Sequence, residues 1–309
     1  MTELHRQHPH LLRGILLIMT AVFLFSSMDT LAKLMLKTYP LPPLIWARYT
    51  VHLAFMVVLL APRLGLRLIR TKRPGAQVLR GLLLVASTAL FYLALKHMPL
   101  AEAAAITFVA PVLVTALSGP MLGERVTMRQ WVAVILGFVG VLIIIRPGGG
   151  VLSFAVVFPL TTALLFALYQ IMTRMLAGRE NPFTTLFFTA LVGAVATTLV
   201  LPFTWETPTL AQAGLMVAIG LLGGFGHFLL IRAVEAASPT ALAPFVYTQL
   251  VWSTLLAFVA FHEFPDSGSL LGMLVIVGAG LLAVNWERMG RRADATEPAP
   301  AHQPAQRSP

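Results

Sequence analysis

The sequence predicts an all-α integral membrane protein of ten transmembrane helices arranged as a 5+5 inverted repeat. Three observations carry that prediction. Of the 309 residues, 58% are apolar and only 11% charged, with a mean hydropathy of +0.83. A soluble globular protein carries about 45–50% apolar and about 25% charged residues. Apolar runs of about 20 residues, the length that crosses the hydrocarbon core, recur ten times. The third observation is an internal echo. The stretch from Pro99 to Arg125 opens on a proline, runs through small and apolar residues and reaches Glu124; it returns as Pro239 to Glu263. The two glutamates lie 139 positions apart (263 − 124), about half the chain without its tails.

Segmented at proline, glycine and charge clusters, the spans fall at roughly 14–37, 42–61, 78–97, 100–122, 128–146, 151–176, 183–203, 210–232, 240–262 and 268–287. Residues 1–13 read as a cytoplasmic N-terminal tail and 14–146 as the first five-helix unit. Residues 151–287 read as the second, and 288–309 as a disordered cytoplasmic tail rich in charge, Pro and His. Arg146-Pro-Gly-Gly-Gly150 reads as the joint between the units. An odd number of helices per unit inserts the second copy upside down, the arrangement of alternating-access carriers that hold substrate near the midplane.

The net charge of +10 is explained by orientation rather than by nucleic acid, for which no basic soluble domain exists. Arg63, Arg67, Arg70, Lys72, Arg73 and Arg80 are read as one cytoplasmic loop cluster. With both termini cytoplasmic, 17 of the 22 Lys and Arg residues lie inside, as the positive-inside rule requires. Trp46 and Trp205 then mark the outer interface, and Trp131 and Trp286 the inner one.

There is no cysteine, which removes disulfides, thiolate metal sites and cysteine nucleophiles. No cleavable signal peptide is read ahead of the first span. No Walker-type phosphate loop occurs, so ATP does not drive a cycle within this chain. No metal site and no cofactor is expected.

The run from Leu122 to Gly148 (LGERVTMRQWVAVILGFVGVLIIIRPG) resembles the junction of the fourth and fifth helices in the EamA family of the drug/metabolite transporter superfamily. Ala94–Leu113 resembles that family's loop and fourth helix, and Val234–Glu263 the second-copy counterpart, with His262 in place of the glycine before Glu263. The resemblance covers roughly 14–286. It implies a secondary transporter of small metabolites, often exporting, in the bacterial cytoplasmic membrane, with a central cavity between the halves.

Charges inside a span cost several kcal/mol unless paired or hydrated, and usually face a cavity or each other. Asp29 and Lys33 share a helical face at i, i+4 and can pair; Arg48 lies at similar depth on the second span. Leu168, Met172 and Phe187 stand at the equivalent second-copy positions, so the charged group is no part of the shared scaffold. These three residues are the first substrate-binding candidates, against a structural ion pair with a snorkelling cation. Tyr92, Thr107, Tyr169, Gln170, His227, Tyr247, Gln249 and Trp252 follow, as polar or amphipathic side chains that need partners in hydrocarbon. Thr107, Pro111, Thr115 and Ser118 form one stripe on the fourth span.

Pro99, Pro111, Pro239, Gly123, Glu124 and Glu263 are assigned to helix breaks, caps and packing. Asp29, Glu102, His52 and His227 are the titratable groups available for proton coupling. Gly119-x-x-x-Gly123 and Gly220-x-x-x-Gly224 read as close helix contacts.

The leading expectation is a carrier of a small polar or amphipathic, amino-acid-like metabolite, probably an exporter by family resemblance and a functional monomer. The alternatives are a nutrient, vitamin or nucleoside-like importer of the same family, and a receptor or scaffold. An intramembrane enzyme would need a shared His/Asp motif or a Ser–His pair. Instead His52, His97, His227 and His262 are scattered over four helices, so no enzymatic activity is expected.

Overall fold

A computed structural model describes residues 4–123, 127–145 and 154–296, and among them every regular element is helical. The twelve α-helices are α1 (Leu4–Met35), α2 (Leu41–Leu64), α3 (Pro74–His97), α4 (Leu100–Thr107), α5 (Ala110–Leu122), α6 (Met128–Ile145), α7 (Val157–Leu176), α8 (Pro182–Val200), α9 (Leu210–Ala236), α10 (Pro239–Val246), α11 (Thr248–Phe261) and α12 (Ser267–Thr296). Nine described stretches are long and apolar enough to cross a membrane, and the apolar part of α12, Ser267–Leu282, is shorter.

Two spans read as single helices are each built from two. The fourth breaks at Phe108 and Val109, between α4 and α5; the ninth breaks at Tyr247, between α10 and α11. Pro111 is the cause in the first case. Without an N–H it cannot bond the Thr107 carbonyl four residues back, and it stands in the first turn of α5 instead of mid-helix. In the second, Pro244 lies inside α10, three residues before the break. The two breaks are 139 positions apart (247 − 108), the spacing of the sequence echo. Their rings touch, with Phe108 and Tyr247 centroids 5.6 Å apart.

α5 and α11 also end alike. Gly123 caps α5 at φ 72°, and His262, at the equivalent place, caps α11 at φ 55°. Glu124 and the Arg146–Gly150 joint lie outside the described residues. The outermost helices run beyond the apolar spans, from Leu4 and as far as Thr296. No proline interrupts the last segment before Pro298, and its Glu, Arg and Ala residues are good helix formers.

The most extensive helix contacts all join the first half to the second: α1 with α9, α3 with α7, α6 with α12, α2 with both α8 and α9, α3 with α8, α1 with α11, and α5 with α7. Replacing each span by the one five places away returns the same set, as two copies of one unit would. Glycine makes the closest crossings. A Cβ on Gly220 would meet Val51 at 2.4 Å, and one on Gly224 would meet His52 and Phe55 at 3.0 Å, so this glycine pair seats α9 on α2. Trp46 and Trp205 meet edge to face at 5.8 Å, at a common level.

Candidate functional site

α1, α2, α3 and α9 enclose a buried polar group. Arg48 is only 9% exposed and Asp29 7%. α2 places Arg48 where its guanidinium lies 5.6 Å from the ring of Tyr49 and 5.5 Å from that of Tyr92, whose hydroxyl accepts a hydrogen bond from it at 3.4 Å. Tyr92 is fully buried on α3, and Tyr49 is anchored by a 2.9 Å hydroxyl contact to Thr88. Asp29 and Arg48 lie within electrostatic range of one another. Among the described residues they form no direct ion pair, so neither charge neutralises the other at contact.

Next to Arg48, α2 and α9 bring two histidines together. The rings of His52 and His227 stand 5.5 Å apart, tilted by 35°. Nδ1 of His227 lies 2.9 Å from the carbonyl of Gly223; since a carbonyl only accepts, Nδ1 carries the proton and Nε2 is left with a lone pair. His52 Nε2 is buried without a hydrogen-bond partner. The four membrane histidines are scattered in the chain, but the fold gathers these two.

Arg80 is the residue that the chain reading misplaced. Counted as a loop charge, it lies inside α3 and is 1% exposed. Its guanidinium donates to the hydroxyls of Thr173 (3.2 Å) and Thr189 and to the carbonyl of Thr185, and it lies 4.9 Å from the ring of Tyr169. Its neighbour Gln77, one turn away, donates to the Thr185 hydroxyl at 3.2 Å. The clue was periodicity. Arg80, Leu84, Thr88 and Tyr92 follow each other every four residues, one buried face of α3. Arg80 and Tyr92 are 12 residues apart, so the stripe spans about 18 Å of helix.

Lys33 does not join Asp29. Its ammonium is drawn to Glu263, at 2.6 and 2.9 Å from the two carboxylate oxygens, and also donates to the Met98 carbonyl at 3.1 Å. Glu263, assigned to packing, is therefore half of a salt bridge between α1 and the end of α11. A full carboxylate at direct contact outcompetes one a helical turn away. Glu102, in the first turn of α4, accepts from the Ser269 hydroxyl at 3.0 Å.

The remaining candidates lie apart from the Arg48 group. Thr107 turns its hydroxyl back to the Ala103 carbonyl at 2.9 Å, and Thr115 likewise to Pro111 at 3.1 Å. Tyr247 is buried against Gly280, where even a methyl group would collide with its ring. Trp252 packs edge to face on Phe23 at 5.0 Å, with its Nε1 buried and unpartnered. The Gln249 backbone carbonyl accepts from Ser26 at 3.3 Å. Tyr169 stacks on Phe166 at 5.7 Å, and Gln170 is half-buried on the same helix. Among the described residues no group of three or more His, Asp or Glu side chains could hold a metal ion.

The model of the EamA-like transporter family matches this chain twice, over residues 12–146 and 153–285. An S-adenosylmethionine uptake transporter of Rickettsia bellii is 32% identical over 72% of this chain and 77% of its own length. A riboflavin transporter of Vibrio cholerae is 26% identical over 94% of this chain and 98% of its own. A pseudopaline exporter of Pseudomonas aeruginosa is 28% identical over 86% and 94%. A solved structure, titled only as the crystal structure of a protein, superposes with a TM-score of 0.64 at 20% identity, covering 89% of this chain and 98% of that one. It shares the fold.

Proposed function

This chain belongs to the EamA-like transporter family, and we propose that it carries a small amino-acid-like metabolite across the bacterial cytoplasmic membrane by alternating access between its two halves, with both termini cytoplasmic. At the coarser level, the matched relatives make it an integral membrane transporter of small metabolites. The observation that carries the finer reading is the pair of buried, opposite, non-contacting charges, Asp29 and Arg48, set among Tyr49, Tyr92, His52 and His227. A charge inside the membrane costs several kcal/mol unless something neutralises it. A carboxylate on the substrate suits Arg48 as a two-pronged acceptor, an ammonium suits Asp29, and the tyrosine faces suit an amphipathic body.

The single bound molecule supports a functional monomer. The lone pair on His227 and the unpartnered nitrogen of His52 support proton coupling at the same level. Outward transport is the direction we propose. Uptake is the second reading, favoured by the Rickettsia relatives named as uptake transporters.

The test compares metabolites inside and outside cells expressing the chain, Asp29→Asn or Arg48→Ala, with surface expression matched. A compound that accumulates outside with the parent chain alone supports the reading and identifies the substrate. Depletion of a medium component reverses the direction. Parent-level transport in both variants would remove Asp29 and Arg48 from the site.

A further inference from the structure

At the end of the bundle where α1, α3 and α11 finish and α4 begins, the chain has built an anion site and filled it with its own side chain. Lys33, 6% exposed, supplies a buried ammonium. The first residue of α4, Leu100, points its N–H at the same place, 3.4 Å from Glu263 Oε2. A cation beside a helix N-terminus binds carboxylates and phosphates without further help. The occupant, Glu263, is the more accessible partner, its side chain 33% exposed. Beside the pair opens a cleft of ≈ 380 Å³, lined among others by Lys33, Lys37, Lys96, His97, Pro99 and Glu263. Those walls carry three ammonium groups against one carboxylate. Lys37 and Lys96 are exposed, and the Glu102 carboxylate, bonded by Ser269, lies within electrostatic range of Lys33.

We propose that this cleft binds the carboxylate or phosphate group of a solute, which takes Lys33 and the α4 N-terminus away from Glu263. The displaced glutamate is the tie between the halves at this end, since Lys33, Met98 and Leu100 belong to the first and Glu263 to the second. Binding therefore loosens α11 from α1. Seven residues further down α1, about 10 Å along the helix, the same seam is closed by fully buried Ser26, whose hydroxyl meets that of Ser253 at 3.1 Å. The Lys33 cleft is a separate place from the Asp29–Arg48 group and stands or falls without it.

The chain contains no cysteine, so Ser26→Cys is a unique reporter of the seam. The protein is held in lipid nanodiscs, where both faces meet water, and the rate of modification by a charged maleimide is recorded. Modification of a buried thiol follows the population that opens. The parent reporter reacts slowly. Adding Glu263→Gln accelerates it at least about tenfold, the size expected when a partly buried ion pair is broken. The exchange Lys33→Glu with Glu263→Lys brings the rate back toward the parent.

Acetate or inorganic phosphate, compared with chloride at equal ionic strength, accelerates the reporter with the pair intact and leaves the Glu263→Gln protein unchanged. Whichever of the two acts at lower concentration identifies the group. No anion effect on the intact pair would overturn the binding site, and this arm needs no change at Lys33 or Glu263. No acceleration in Glu263→Gln would overturn the tie.

Discussion

Gly193 on α8 offers the sharpest test of how the central group is held. A Cβ built there lies 2.2, 2.4 and 2.7 Å from three ring atoms of Tyr49, where ordinary contact begins at 3.4 Å. Gly193→Ala must therefore push the ring away by at least 1.2 Å (3.4 − 2.2). Tyr49 is 1% exposed and has no free volume to enter. The 2.9 Å contact to Thr88 stretches past bonding range, and the ring under the Arg48 guanidinium shifts with it.

Overpacking costs about 1–3 kcal/mol and the lost hydrogen bond about 1. Replacing a helical glycine returns up to about 1 kcal/mol of propensity. The net is a destabilisation of roughly 1–3 kcal/mol, a fall of several degrees in melting temperature. Gly214 on α9 is the control, since it is exposed and a Cβ there meets nothing within 4 Å. Gly214→Ala should raise stability slightly. Both alanines are followed by thermal unfolding in nanodiscs and by transport, with Gly193→Ala losing more transport than its stability alone explains. Equal melting temperatures for the two would refute the argument that Tyr49 is pinned by α8.

Arg80→Ala opens a cavity and should cost about 2–5 kcal/mol. Arg80→Met should stay within about 1.5 kcal/mol, because Thr173 and Thr189 already donate to carbonyls of their own helices; equal losses by thermal unfolding would show that the charge, not the bulk, holds α3. His262→Gly should stabilise the chain by about 1 kcal/mol, since it relieves a left-handed, non-glycine cap; a lower melting temperature would mean the imidazole contributes more than the strain. Tyr39, between α1 and α2, is 5% exposed and donates to the Glu206 carbonyl at 2.5 Å. Burial, helped by the Glu206 charge, holds its pKa above the ordinary 10.0. The protonated ring therefore contributes stability that is complete below pH 10.0 and is lost as pH rises through the folded value. Tyr39→Phe should melt below the parent at neutral pH, with the gap closing in strong alkali.

The spans were legible because hydrocarbon imposes one length and one composition on every crossing, and prolines punctuate them. The echo at 139 residues was legible for the same reason, down to the two helix breaks that share its spacing. Partner choice was not. Lys33 has a carboxylate four residues away and another 230 residues away, and it takes the distant one because chain separation has no bearing on distance once helices pack. Arg80 shows a second limit. An arginine six residues into a helix whose first turn is already basic is indistinguishable, by composition, from its exposed neighbours. Only the four-residue spacing with Thr88 and Tyr92 separates it from them. Tyr247 fails in the opposite direction, because a polar tip in a span suggests a ligand whereas a glycine on α12 supplies its seat.

The contacts that run between halves have a consequence for how the protein is made. The first five spans leave the ribosome before any of their principal neighbours exist. Arg80 then has none of its three threonines, Lys33 has no Glu263, and Ser26 has no Ser253. The newborn half must wait in the bilayer as an open set of helices, its cations solvated by headgroups or attended by insertion machinery. It closes only when α7, α8, α9 and α11 thread in between. Such a molecule matures in one late step, and a truncated first half would be a substrate for quality control rather than a working fragment.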